Sequence, residues 1–147
     1  MSIALNLLDL FRKSSIDPSR SAAKSGTLKM AFCAATTPDQ NADQYMDDSF
    51  AATEFSGTGY SRLTLANVTF TMDASGNVKF DADDPATTSQ NAGGDSDGRR
   101  VVILYDTGTD STSEVVAYSD DAGSDFGFVS GDLDVTISTS GIYVAAR

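Results

Sequence analysis

Twenty-one carboxylates and ten basic side chains hold most of this chain's capacity for chemistry, because its 147 residues include no histidine, one cysteine and no tryptophan. Without histidine the commonest general base and the commonest transition-metal ligand are missing. Serine or cysteine nucleophiles activated by histidine are therefore excluded, which leaves carboxylate or lysine chemistry as the enzymatic routes. Cys33 alone closes no intrachain disulfide and builds no thiolate zinc site. A glycosidase needs two acids about 5 to 10 Å apart across a sugar. So many acids produce such pairs by chance, the two glutamates (Glu54 and Glu114) lie in different segments, and no tryptophan can stack a sugar. No catalytic residue is assigned, and the expectation is a protein that is not an enzyme.

Calcium is the next reading that acidic turns invite, since it takes six to eight hard oxygens. Asp95-Ser96-Asp97-Gly98 opens like a binding loop, but a third loop carboxylate and a closing glutamate are missing, and Arg99 and Arg100 follow at once. Asp81-Ala82-Asp83-Asp84 and Asp120-Asp121 are no better. Aspartate favours turns for its own backbone bonding, so solvated turn aspartates are expected, with no metal site and no cofactor. Ser56-Gly57-Thr58-Gly59-Tyr60 lacks the lysine and the following helix of a phosphate loop and reads as a tight turn.

Charge distribution is more informative than any motif. The first 30 residues hold Arg12, Lys13, Arg20, Lys24 and Lys29 against Asp9 and Asp17, a net charge of +3, whereas the remaining 117 come to −14. A cationic leading segment on an anionic body implies docking by the terminus onto something acidic, with a body that resists self-association. The charge of the body opposes specific nucleic-acid binding, which leaves the arm at most a nonspecific polyanion contact.

The elements that would position these groups follow from hydrophobic period. Residues 2–13 place Ala4, Leu7, Leu8, Leu10 and Phe11 at helical spacing, with Ser2 as a cap and Arg12 and Lys13 at the end that favours cations. This predicts an amphipathic helix of about three turns, marginal alone in water and in need of a partner surface, whether its own body or another protein. Residues 14–26, with Pro18 and scattered serines, predict a linker. No signal-peptide pattern opens the chain and no run of apolar residues suffices to span a bilayer, so a protein kept in a reducing compartment, away from membranes, is expected.

From Thr27 the period is two. Strands are predicted at residues 27–32 (Leu28, Met30 and Phe32 inward), 62–65, 67–72, 77–81, 100–105, 114–119, 133–138 and 142–145. Hairpins are predicted across residues 73–77, where Gly76 can take positive φ, across the polar turn 106–113 and across residues 139–141. The apolar run from Val101 to Tyr105 predicts a strand covered on both faces. Residues 83–98 read as a long loop, and residues 120–132 as a loop whose Phe126, Phe128 and Val129 fold under the sheet or meet a neighbour. The fold class is all-β, an antiparallel β-sandwich with a barrel-like alternative, preceded by an N-terminal helical arm over residues 1–26 with the body over 27–147.

One set of short motifs carries a resemblance. Lys29-Met30-Ala31-Phe32, then Thr37-Pro38-Asp39-Gln40-Asn41-Ala42-Asp43-Gln44-Tyr45, Glu54-Phe55-Ser56-Gly57-Thr58-Gly59-Tyr60 and Leu63-Thr64-Leu65 follow one another in order. Val78-Lys79-Phe80-Asp81-Ala82-Asp83-Asp84, residues 101–106 and Ser138-Thr139-Ser140-Gly141-Ile142 continue the series. The pattern resembles a small β-rich family of tailed-bacteriophage structural proteins and departs from it at Ala86-Thr87-Thr88, where an aromatic is usual, and in the longer arm. The resemblance implies a particle component without catalytic residues: a capsid decoration or cement protein that bridges major capsid protein subunits on the virion surface. Assembly in the host cytoplasm and a homo-oligomer, first of all a trimer, go with it. In this reading Ala4, Leu7, Leu8 and Phe11 supply apolar anchorage, while Arg12, Lys13, Arg20 and Lys24 complement carboxylates of the shell. The alternatives are a tail or neck component of the virion, or an exposed carbohydrate-binding β module with Tyr60, Tyr105, Tyr118 and Phe128 as platforms.

Overall fold

A computed structural model describes residues 5–7, 26–39, 42–72, 78–85, 97–119, 122–123, 135, 137 and 143–145. These residues form a β-rich antiparallel structure with little helix. The strands are β1 (Leu5–Leu7), β2 (Thr27–Cys33), β3 (Leu63–Thr64), β4 (Thr69–Met72), β5 (Val78–Asp81), β6 (Arg100–Asp106), β7 (Glu114–Ser119) and β8 (Tyr143–Ala145). One sheet has the order β1-β7-β6-β2-β3 and a second the order β4-β5-β8.

The centre of the first sheet is β6, whose Val-Val-Ile-Leu run supplies the branched side chains that fit a pleated, enclosed surface. It pairs with β2 along its whole length, from Thr27 opposite Asp106 to Cys33 opposite Arg100. Its other neighbour is β7, reached through the polar turn predicted from sequence. In that turn Gly108 has φ +86° and donates its N–H to Asp106 Oδ1 at 3.0 Å, while the Ser113 hydroxyl accepts from Thr107 N at 3.1 Å. A register shift between Ile103 and Leu104 sets Ala117 and Val115 opposite them, so Val116 is an extra residue in β7. The bulge lets Val116 and Ala117 both join the same core.

Both faces of this sheet are covered. On one, Leu28, Met30, Phe32, Val101, Ile103, Val116 and Ala117 pack with Phe55, Leu63 and Leu65. On the other, Ala31, Cys33, Val102, Leu104, Val115 and Tyr118 pack with Met46 and Phe50. The expectation that residues 100–105 form a doubly covered strand is met. The half-buried strand expected at residues 27–32 is enclosed on both sides in its second half, where Ala31 and Cys33 are fully buried. The cover on that side is a single helical turn, α1 (Met46–Ser49), followed by a 3-10 turn at Ala51–Thr53. Asp48 Oδ2 accepts from the N–H groups of Gln44 (2.6 Å) and Tyr45 (2.7 Å), which holds the start of α1 and aims Met46 and Phe50 at the sheet.

The second sheet contains the predicted hairpin, with Phe70 opposite Phe80 and Met72 opposite Val78; its loop, residues 73–77, lies outside the described residues. Val68 and Ala82, just beyond its two strands, pack on the first of the two cores together with Val135 and Ile137. The final hairpin expected across residues 139–141 falls largely outside the described residues, and the partner of β8 is β5. The same holds for residues 86–96 of the long loop and for Phe126, Phe128 and Val129 of the loop 120–132.

The helix expected over residues 2–13 requires correction at Leu5–Leu7, which form a strand antiparallel to β7, with Leu7 opposite Ala117 and Leu5 opposite Ser119. Leu5-Asn6-Leu7 alternates apolar and polar as well as it fits a helical stripe. An open strand edge offers backbone partners that an isolated three-turn helix cannot match. The rest of that stretch, and the linker 14–25, lie outside the described residues. Gly26, exposed and with φ +122°, opens β2; a Cβ there would stand 2.6 Å from the Asp106 carbonyl oxygen.

Candidate functional site

The densest polar assembly among the described residues is a knot beside β2 and β3 of the first sheet. Its hub is Arg62, one residue before β3, held there because Leu63 and Leu65 are buried on either side of the exposed Thr64. Arg62 Nε donates to Glu54 Oε1 at 2.8 Å and Nη2 to Glu54 Oε2 at 2.6 Å, a two-pronged pair in which the fork of the guanidinium matches the carboxylate. Nη1 reaches Asp106 Oδ1 at 3.1 Å, and Nη2 also reaches Asp110 Oδ1 at 2.5 Å. Lys29 Nζ lies 2.7 Å from Asp106 Oδ2. The Tyr60 hydroxyl donates to Glu54 Oε1 at 2.9 Å and accepts from the N–H of Phe32 at 3.2 Å, while its ring meets Phe55 edge-on.

Each member arrives on a different element: Glu54 from the segment bridged to Cys33, Tyr60 from the glycine turn, Lys29 from β2, Asp106 from the end of β6 and Asp110 from the turn before β7. The bond to Glu54 is the main reason the Arg62 guanidinium is held more firmly charged, against the opposing effect of burial. Burial pulls the Asp106 carboxyl up, yet the Lys29 ammonium, the Gly108 N–H and Arg62 outweigh it and leave the group below its ordinary range. Tyr60 is pushed up by burial and then by the Glu54 charge. Three carboxylates thus share two cations and a phenol, an arrangement that fastens elements together. Among the described residues no group of three or more histidine, cysteine or carboxylate side chains is placed to hold a metal ion. Cys33 is buried and its thiol is pushed up to about 12, by burial first and by the Glu54 charge second, so it carries little thiolate at neutral pH.

Of the turn aspartates, Asp81, Asp83 and Asp84 accept hydrogen bonds, while Asp95, Asp120 and Asp121 lie outside the described residues. Asp83 Oδ2 accepts from Asn67 Nδ2 at 2.6 Å, Asp84 Oδ1 from the N–H of Ile137 at 2.6 Å, and Asp81 Oδ1 from the N–H of Ala82 at 3.0 Å. Of the four rings considered as sugar platforms, Tyr118 is 4% exposed and packs on Phe50 at 5.4 Å, Tyr60 is engaged in the knot, Tyr105 is half-buried, and Phe128 lies outside the described residues.

The edge of β7 is the second feature. Its first half is covered by chain that precedes α1: Val115 N donates to Gln44 O at 2.9 Å, Met46 N to Ser113 O at 3.0 Å, and Tyr45 bridges Glu114. Its second half, Ala117 to Ser119, receives β1. Beside it Arg100 donates through Nε to Thr36 O at 3.0 Å and through Nη1 to Ser119 O at 2.7 Å, with its guanidinium over the Tyr118 ring. Of the residues proposed from sequence to bind a partner, Leu7 lies in β1; Ala4, Leu8, Phe11, Arg12, Lys13, Arg20 and Lys24 lie outside the described residues.

Sequence reasoning did not single out the knot. One available signal was the scarcity of cations beyond residue 30, since five basic residues among nineteen carboxylates, Arg62 one of them, are under pressure to be shared. Another was the i, i+4 spacing of Met46 and Phe50, which marks the short helical turn. No protein-family model matches this chain, and no curated protein and no solved structure matches it.

Proposed function

We propose that this chain is a virion structural protein of a tailed bacteriophage, a capsid decoration or cement protein that stabilises the head by bridging major capsid protein subunits. In this reading the two sheets close as a sandwich body over residues 27–147. Residues 1–26 form the arm, assembly takes place in the host cytoplasm, and the working unit on the capsid surface is a homotrimer. The observation that supports it best is the strand β1, a piece of the N-terminal segment that docks by backbone pairing on a sheet edge well removed from β2 in strand order. Strand addition supplies affinity through main-chain hydrogen bonds, which suits an arm that must grip another surface without an enzyme-like pocket. The motif order quoted from the sequence supplies the link to phage particles. Arg12, Lys13, Arg20 and Lys24 give the arm the charge to approach an acidic shell.

The test is to add the purified protein to heads that lack it and image them. Expected is density at repeated sites on the head lattice, and loss of binding when residues 1–26 are removed while circular dichroism still reports a folded β body. Density confined to the tail or neck would overturn the decoration role, and undiminished binding without residues 1–26 would overturn the arm's part in it.

A further inference from the structure

The connection between β1 and β2 is far longer than its path requires. In strand order β1 is separated from β2 by β7 and β6, three inter-strand steps or about 14 Å. Residues 8–26, which join them, can reach about 60 Å when extended. Nothing in the covalent geometry therefore obliges β1 to sit on its own sheet.

The slot that holds β1 is well bounded. Gln44, Tyr45 and Met46 occupy the β7 edge at Ser113, Glu114 and Val115, so that Ala117 to Ser119 is the stretch left for a docking strand. Such a slot fixes the register of a three-residue strand that would otherwise slip. Charge admits a visitor, because the connecting residues carry Arg12, Lys13, Arg20 and Lys24 against Asp9 and Asp17 and are drawn to an acidic body whether it is their own or that of a second copy.

We propose that the β7 edge is a strand-exchange site, filled in the assembled protein by β1 of a second copy in the register that β1 takes here. The ladder bonds are the same within a chain and between chains. The balance is set by the effective concentration of the tethered strand, of millimolar order, against the local concentration of neighbouring copies. A dilute chain keeps its own strand; copies held side by side trade. The proposal extends the homo-oligomer of the proposed function, but its test needs no particle, so the two can fail separately.

The test is a disulfide trap at Leu7 and Ala117, which face each other across the two strands. A heavy-isotope chain carrying Leu7→Cys is mixed with an unlabelled chain carrying Ala117→Cys, oxidised at concentrations from a few micromolar to about 1 mM, and mapped by peptide mass. Expected is a labelled-to-unlabelled link between residues 7 and 117 that rises at least several-fold with concentration. The Leu7→Cys/Ala117→Cys double variant, kept dilute, should link within one chain. Leu5→Cys with Ser119→Cys repeats the experiment should Ala117→Cys fail to fold. An intrachain link in the double variant with no mixed link at about 1 mM overturns the exchange, and absence of any link in either pair overturns the β1 pairing on which it stands.

Discussion

Arg62 is the residue on which most of the polar organisation of the fold converges. Its side chain is 14% exposed and Glu54 is 11% exposed, so this pair sits between a buried salt bridge and a surface one. Taking one partner from such a pair leaves charges without compensation, which is worse than never having built it. Arg62→Ala is expected to lower unfolding free energy by about 3 kcal/mol, read as a drop in the denaturant midpoint at unchanged slope. Asp106 makes the knot sensitive to acid. Its carboxyl lies below the ordinary value of 3.8 in the folded chain, so its contribution is complete above that value and is lost as pH falls through the lower, folded value. The stability difference between the native chain and Asp106→Asn should therefore be constant near neutrality and shrink below about pH 4. A difference that persists unchanged to pH 2 would contradict the depressed carboxyl.

Among the elements, α1 contributes out of proportion to its single turn. Four helical residues could not persist alone in water, yet Met46 and Phe50 have no exposed surface and close one face of the first sheet. Phe50→Ala should cost about 3 to 5 kcal/mol, with a broadened near-ultraviolet signal from its neighbour Tyr118 as a second readout. Strands were the legible part of the sequence. The runs at Thr27–Cys33, Arg100–Asp106 and Glu114–Ser119 and the hairpin around residues 73–77 stand out by period and turn chemistry, both of which are local. The extra residue in β7 was not legible, because Val115, Val116 and Ala117 are all small apolar residues and only the partner strand decides which of them is skipped. Leu5–Leu7 could satisfy either period, and the choice fell to a strand edge more than a hundred residues away in sequence.

For the molecule as a whole, the charge split visible in the sequence has two different structural settings. Part of the acidic surplus is engaged by Arg62 and Lys29, and Asp81, Asp83 and Asp84 accept from the Ala82 N–H, the Asn67 side chain and the Ile137 N–H. The candidate site was the least legible feature for this reason. Lys29, Glu54, Tyr60, Arg62, Asp106 and Asp110 are scattered along the chain, and topology alone brings them together. The knot ties β2, β6 and the segments before β3 and β7 together, and Arg100 ties the start of β6 to Ser119 of β7 and to Thr36.

Gly26 adds a consequence for how this sequence can vary. It is exposed and touches no core, yet any side chain there would collide with a main-chain oxygen of β6 and would also have to adopt a backbone angle that L-residues avoid. In a survey of tolerated substitutions, position 26 would look like the interior of the protein although it lies on the outside. The start of β2 is thus constrained by one main-chain carbonyl of β6 and by no buried side chain.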